Sequence, residues 1–125
     1  MIPTTLVVGL GAHERELAIK NRMAILAEPL VQSPTWGILS EGFCHGNPVL
    51  SENENTLIFR IAAGCICCSN RLIMRIYLNR LIQQAPDHLF LSISTESHLE
   101  QIKQFLTTTA YRNTIELTPD LLVHH

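Results

Sequence analysis

Short apolar runs alternate along this chain with longer stretches in which apolar residues recur at helical spacing. Thr5 to Val8 is the first run, closed by Gly9, and a short apolar run bounded by a turn residue predicts a buried strand. From about Glu14 to Glu28 the spacing is helical, with Ile19, Met23, Leu26 and Leu30 on one face. Pro29 ends that helix, because a proline disfavours the α conformation in the residue before it. Thr35 to Leu39 predicts a second strand, and Gly42, Gly46, Asn47 and Pro48 a loop after it. Beyond the polar turn Ser51 to Asn55, Thr56 to Ile61 predicts a third strand, with Leu57, Phe59 and Ile61 alternating against Ile58 and Arg60. A helix is expected from about Asn70 to Gln84, with Ser69 as its N-cap and Ile73, Ile76, Tyr77, Arg80 and Leu81 on a mainly apolar side. Pro86-Asp87 breaks the chain, and His88 to Ser94 predicts a fourth strand. Ser97 and Glu100 have the spacing of a capping box, so a further helix should begin there, with Leu99, Ile102, Phe105 and Leu106 inward. Thr114 to Leu117 predicts a short fifth strand, stopped by Thr118-Pro119.

Strands alternating with helices imply crossover connections and a parallel sheet. The expected fold class is α/β: a mostly parallel sheet of about five strands, helices on both faces, in a single domain over residues 1–125. Right-handed crossovers bring the loops after the strands to one edge, where open sheets of this kind bind ligands. Two candidate sites fall at that edge: the turn after Gly9 and the cysteine-rich stretch after Ile61.

Composition narrows the function. Charged residues are only 16% of the chain and apolar ones 46%, so the chain can pack and has room for an apolar surface patch. A net charge of −2 and the lack of a basic run exclude an electrostatic footprint for nucleic acid. Neither a charged leader with an apolar core nor a membrane-length apolar run is present, so the expected compartment is the cytoplasm and no membrane partner is expected. In a reducing compartment, clustered cysteines point to metal or thiol chemistry before disulfides.

Gly64-Cys65-Ile66-Cys67-Cys68 is that cluster. Thiolates hold zinc-type ions at about 2.3 Å in tetrahedral sets. Adjacent side chains diverge, so two sulfurs from this loop plus partners from elsewhere is the more workable set. The loop after the second strand offers Glu41, Cys44 and His45. A helix starting near Asn70 would place its positive end by the sulfurs and favour thiolates. The competing reading is three small buried residues in a strand-to-helix turn. His13 lies on a different loop and reads as solvated, Trp36 as core or interface, and His124 and His125 carry no functional weight.

The stretch Ile61 to Ser69 resembles the Gly-Cys-x-Cys-Cys signature of the CobW family, P-loop GTPases associated with cobalamin synthesis and with zinc delivery or homeostasis. The resemblance extends to Ser40-Glu41, similar to the family's Asn-Glu after its second strand, and to the order of the following helix, Pro86-Asp87 and fourth strand. It implies a P-loop NTPase-like half domain, with zinc or a similar divalent metal as cofactor, Cys67 with Cys65, Cys68, Cys44, Glu41 or His45 as ligands, and a metal-client protein or a second copy as partner.

Gly9-Leu10-Gly11-Ala12-His13-Glu14-Arg15-Glu16 stands where the resemblance requires Gly-x-x-x-x-Gly-Lys-Thr. Glu14 is read about where the phosphate-binding lysine belongs and Arg15 at the magnesium-binding hydroxyl, one position short of a strict count from Gly9. Ser92-Ile93-Ser94-Thr95 replaces the family's Glu-Thr/Ser-Thr-Gly. Gly9, Gly11 and Ala12 therefore read as a phosphate loop without its function, and GTP is not expected. Glu14 or Glu16 is expected to supply the negative charge that a helix start favours, in place of a phosphate. Four functions stay open: a zinc-binding pseudo-GTPase module, a residual GTPase, an oligomerisation domain with buried cysteines and, with least support, a redox role for the Cys67-Cys68 thiols.

Overall fold

The computed structural model describes residues 1–9, 11–42, 48–62, 72–94, 96–108 and 110–123. The first apolar run becomes β1 (Ile2–Gly9), followed by α1 (Ala12–Ala27), β2 (Trp36–Glu41) and β3 (Thr56–Ile61). Then come α2 (Leu72–Gln83), β4 (His88–Ile93), a 3-10 turn over Glu96–His98, α3 (Leu99–Leu106), β5 (Ile115–Leu117) and β6 (Leu121–Val123). The strand order is β3-β2-β4-β1-β5, with β6 also on β1, and every strand pair is parallel.

Alternation along the strands divides the core between the two faces, as a pleated backbone requires. Leu6, Val8, Leu39, Leu89 and Leu91 face α2 and α3, packing on Met74, Leu78, Leu81, Ile102 and Leu106. Val7, Ile38, Ile58 and Phe90 face the other way, onto Ile19 of α1, with Trp36 among them. Trp36 is a core residue, its ring 6.0 Å from that of Phe90. The doubly covered α/β sheet is thus the expected one, with one strand more than anticipated. Thr118-Pro119 does not end the sheet. β5 pairs with Ile2–Thr4 and β6 with Val7–Gly9, both along β1. Pro119 lies between them, where a missing N–H costs no ladder bond. A Lys103–Asp120 ion pair of 2.6 Å pins that interval to α3.

Two helix faces differ from the expected ones. On α1 the buried residues are Arg15, Glu16 and Ile19, while Leu26 and Leu30 are exposed. Polar strand ends that match Arg15 and Glu16 set the rotation of this helix, at the expense of its apolar stripe. On α2, Met74, Leu78 and Leu81 are buried, and Ile73 and Ile76 lie out with Leu72. That helix is apolar on both sides, so periodicity alone did not choose one. The third helix is preceded by a 3-10 turn over Glu96–His98, which contains Ser97. Among the described residues no helix is long and apolar enough to cross a membrane.

The amino edge of the sheet carries a polar chain. His88 Nε2 lies 2.9 Å from Thr5 Oγ1, which lies 2.6 Å from Thr118 Oγ1. Burial, with a smaller contribution from Arg22, lowers the His88 pKa below its ordinary 6.5. The unfolded chain therefore binds a proton at His88 before the folded one does. Stability contributed by neutral His88 is present above about pH 6.5 and is lost as the pH falls through that value towards the folded pKa. Urea melts at neutral and mildly acidic pH should show wild type losing more stability on acidification than His88→Gln. Equal losses would remove His88 from the account.

Candidate functional site

Parallel strands end at one edge, and at that edge the ends of β1, β2 and β4 lie side by side. β1 closes at Gly9 with φ +120°, a conformation that side chains rarely adopt. A Cβ there would also lie 2.2 Å from the Val123 carbonyl oxygen. Gly11 caps α1, so only a short turn separates strand from helix.

Arg15, one turn into α1, is buried and points back under this turn. Its Nη1 donates to the Gly9 carbonyl at 2.9 Å, its Nη2 to the Glu41 carbonyl at 2.5 Å and its Nε to Ser92 Oγ at 2.6 Å. One planar cation thus touches the ends of β1 and β2 and the side of β4. Five donors in a rigid fork make that possible. The residue turned into the loop is Arg15 and not Glu14. Glu14 is exposed, and its Oε2 lies so close to Gly11 that a Cβ there would be 2.7 Å from it. A carboxylate in the first turn favours the helix start, as expected of Glu14.

Glu16 is not part of that cap. It is fully buried and accepts from Arg60 at 2.8 and 3.2 Å and from Ser40 Oγ at 3.0 Å. Arg60 also donates to the Leu50 carbonyl at 2.7 Å. This forked pair ties α1 to β3 and to the segment entering β3.

Glu41 is also fully buried, at the end of β2. Its Oε1 accepts from the Ser94 amide at 2.7 Å and from Ser94 Oγ at 2.6 Å. Glu41 pairs with Ile61, the last residue of β3, and the Gly42 amide donates to the Ile61 carbonyl at 2.7 Å. β3 therefore ends beside Glu41, and the cysteine stretch follows it in the sequence. Cys44, His45, Cys65, Cys67 and Cys68 lie outside the described residues, as does Ser69. Among the described residues no group of three or more His, Cys, Asp or Glu gathers to hold a metal ion. His13 is exposed, as expected. A cavity of about 360 Å³ opens at the opposite edge, lined by Thr35, Trp36, Glu52, Glu54, Gln84 and Pro86 among others, and contains none of these residues.

Sequence reasoning missed Ser92 and Ser94 as partners, and Arg60 and Ser40 as the seat for Glu16. The available signal was polarity inside apolar runs: serines at the end of a strand, and an Arg-Glu pair in the first turns of a helix.

The CobW/HypB/UreG nucleotide-binding domain family matches residues 40–123. The match opens at the end of β2, so β1 and the turn into α1 fall outside it. The zinc chaperone YeiR of Escherichia coli strain K12 is 35% identical over 75 residues, which are 59% of this chain and 23% of that protein. The chain therefore matches less than a quarter of that relative's length. No solved structure matches the chain.

Proposed function

The chain belongs to the CobW/HypB/UreG nucleotide-binding domain family, and on that premise we propose that it is a metal-handling module that binds a zinc-type ion without depending on a nucleotide. Cys67 is the central ligand, completed by members of the set Cys65, Cys68, Cys44, Glu41 and His45. The observation that supports this reading is the pairing of Glu41 with Ile61: the strand that precedes the cysteine stretch in the sequence ends beside a buried carboxylate. Thiolates with a carboxylate or imidazole are a donor set suited to zinc. Ser94 would orient Glu41, as hydrogen-bonded neighbours of metal ligands do. The likeness to a protein named a zinc chaperone supports the choice of metal.

The nucleotide side of the family does not fit these residues. A magnesium-bound phosphate needs an ammonium, a hydroxyl and free amides at the helix start. Here Arg15 is already engaged with the ends of the strands and Glu14 presents a carboxylate at the helix start. The partner is a metal-client protein or a second copy. Exposed Leu72, Ile73 and Ile76 on α2 support a contact of that kind.

Zinc added at about one hundred times its dissociation constant should stabilise the reduced protein by about 2.7 kcal/mol, a rise in melting temperature of roughly 10 °C. Cys67→Ala should show no such rise. An equal rise in both would assign the stabilisation to zinc bound elsewhere.

A further inference from the structure

Arg15 is among the largest buried side chains of the protein, and binding zinc gives it no task. A buried cation is costly unless it is fully hydrogen-bonded and balanced, so its position calls for a reason. We propose that Arg15 is a resident cation that closes the carboxyl edge from within, holding the ends of β1, β2 and β4 together in place of a nucleotide and excluding phosphate from that edge. This deepens the nucleotide-independent part of the function proposed above and makes no use of the cysteines.

The three acceptors of Arg15 sit on three strands that are neighbours in the sheet: Gly9 on β1, Ser92 on β4 and Glu41 on β2. Buried carbonyls at strand ends need a donor. One guanidinium meets all three acceptors at once. A lysine ammonium, a single nitrogen on a flexible stem, cannot match that spread. The negative half of a ligand is replaced as well. Glu14 lies over Gly11 at the helix start, where a bound phosphate would otherwise sit. The charges also balance in sign: buried Arg15 and half-buried Arg60 stand against buried Glu16 and Glu41. The turn between β1 and α1 is also drawn short, since α1 begins at Ala12, whereas a phosphate loop wraps its ligand with a longer run of backbone amides.

The test is the melting temperature of the full chain, as wild type, Arg15→Lys and Arg15→Ala, with and without magnesium pyrophosphate or ethylguanidinium. Arg15→Lys keeps the charge and loses the fork, and should melt about 5 °C lower; Arg15→Ala should melt about 10 °C lower. Millimolar ethylguanidinium should restore several degrees to Arg15→Ala and nothing to wild type. Millimolar magnesium pyrophosphate should leave wild type unchanged. Zinc content of the same samples reports on the cysteine loop separately, so either idea can fail alone. If Arg15→Ala does not fold, Arg15→Lys and the wild-type pyrophosphate arm still decide. A Lys variant as stable as wild type, or a wild-type rise of more than about 3 °C with magnesium pyrophosphate, overturns the proposal.

Discussion

Replacing Glu16 by alanine should destabilise the protein by about 3 kcal/mol, the low end of what breaking a buried ion pair costs. Glu16 is fully buried and receives two bonds from Arg60 and one from Ser40. The variant removes the carboxylate that takes two bonds from the Arg60 guanidinium and the acceptor of a fully buried serine hydroxyl. Arg60 is 24% exposed, so water recovers part of the loss, which places the estimate at that low end. Glu16→Gln keeps the shape and one acceptor but faces donors with an amide, and should lose less. A double-mutant cycle with Arg60→Ala should give a coupling of about 1.5–3 kcal/mol. If Glu16→Ala melts with wild type, or if the two substitutions add without coupling, the pair is not what orients α1 on the sheet.

That pair also explains how far the sequence could be read. The strands were legible because each is a short apolar run closed by Gly, Pro or polar residues, and each expected strand is present within a few residues. β6 was not, because Thr118-Pro119 reads as a stop, and only the length of β1 leaves room for a further pairing beyond it. The helix faces were less legible for a physical reason. The spacing of apolar residues indicates the inward face only where apolar burial sets the rotation, whereas on α1 a buried Arg and Glu do. On α2, residues 72, 73 and 76 are as apolar as the side that packs. Of the candidate site, the Gly9–Gly11 turn was visible from its glycines. The task of Arg15 was not, because its partners Glu41 and Ser92 lie 26 and 77 residues away. The sequence shows a lysine missing from a motif; it does not show what took its place.

The second large effect concerns Cys67. A thiolate bound to zinc is a direct ligand, and its loss should weaken binding by more than the roughly 10–100-fold that follows loss of a ligand's hydrogen-bonding neighbour. Because ligands must deprotonate, the affinity should also fall as the pH is lowered. Alanine adds no competing donor and leaves Cys65, Cys68 and the Glu41–Ser94 contact in place, so the deficit reports on the sulfur itself.

The most direct measurement is elemental analysis of nucleotide-free protein, loaded with zinc under reducing conditions and desalted, wild type beside Cys67→Ala. The expected result is near-stoichiometric zinc in wild type and less than about a tenth of that in the variant, the gap that a loss of more than 100-fold in affinity produces. Zinc absent from wild type, or retained equally by Cys67→Ala, would contradict a metal-handling role for the cysteine loop.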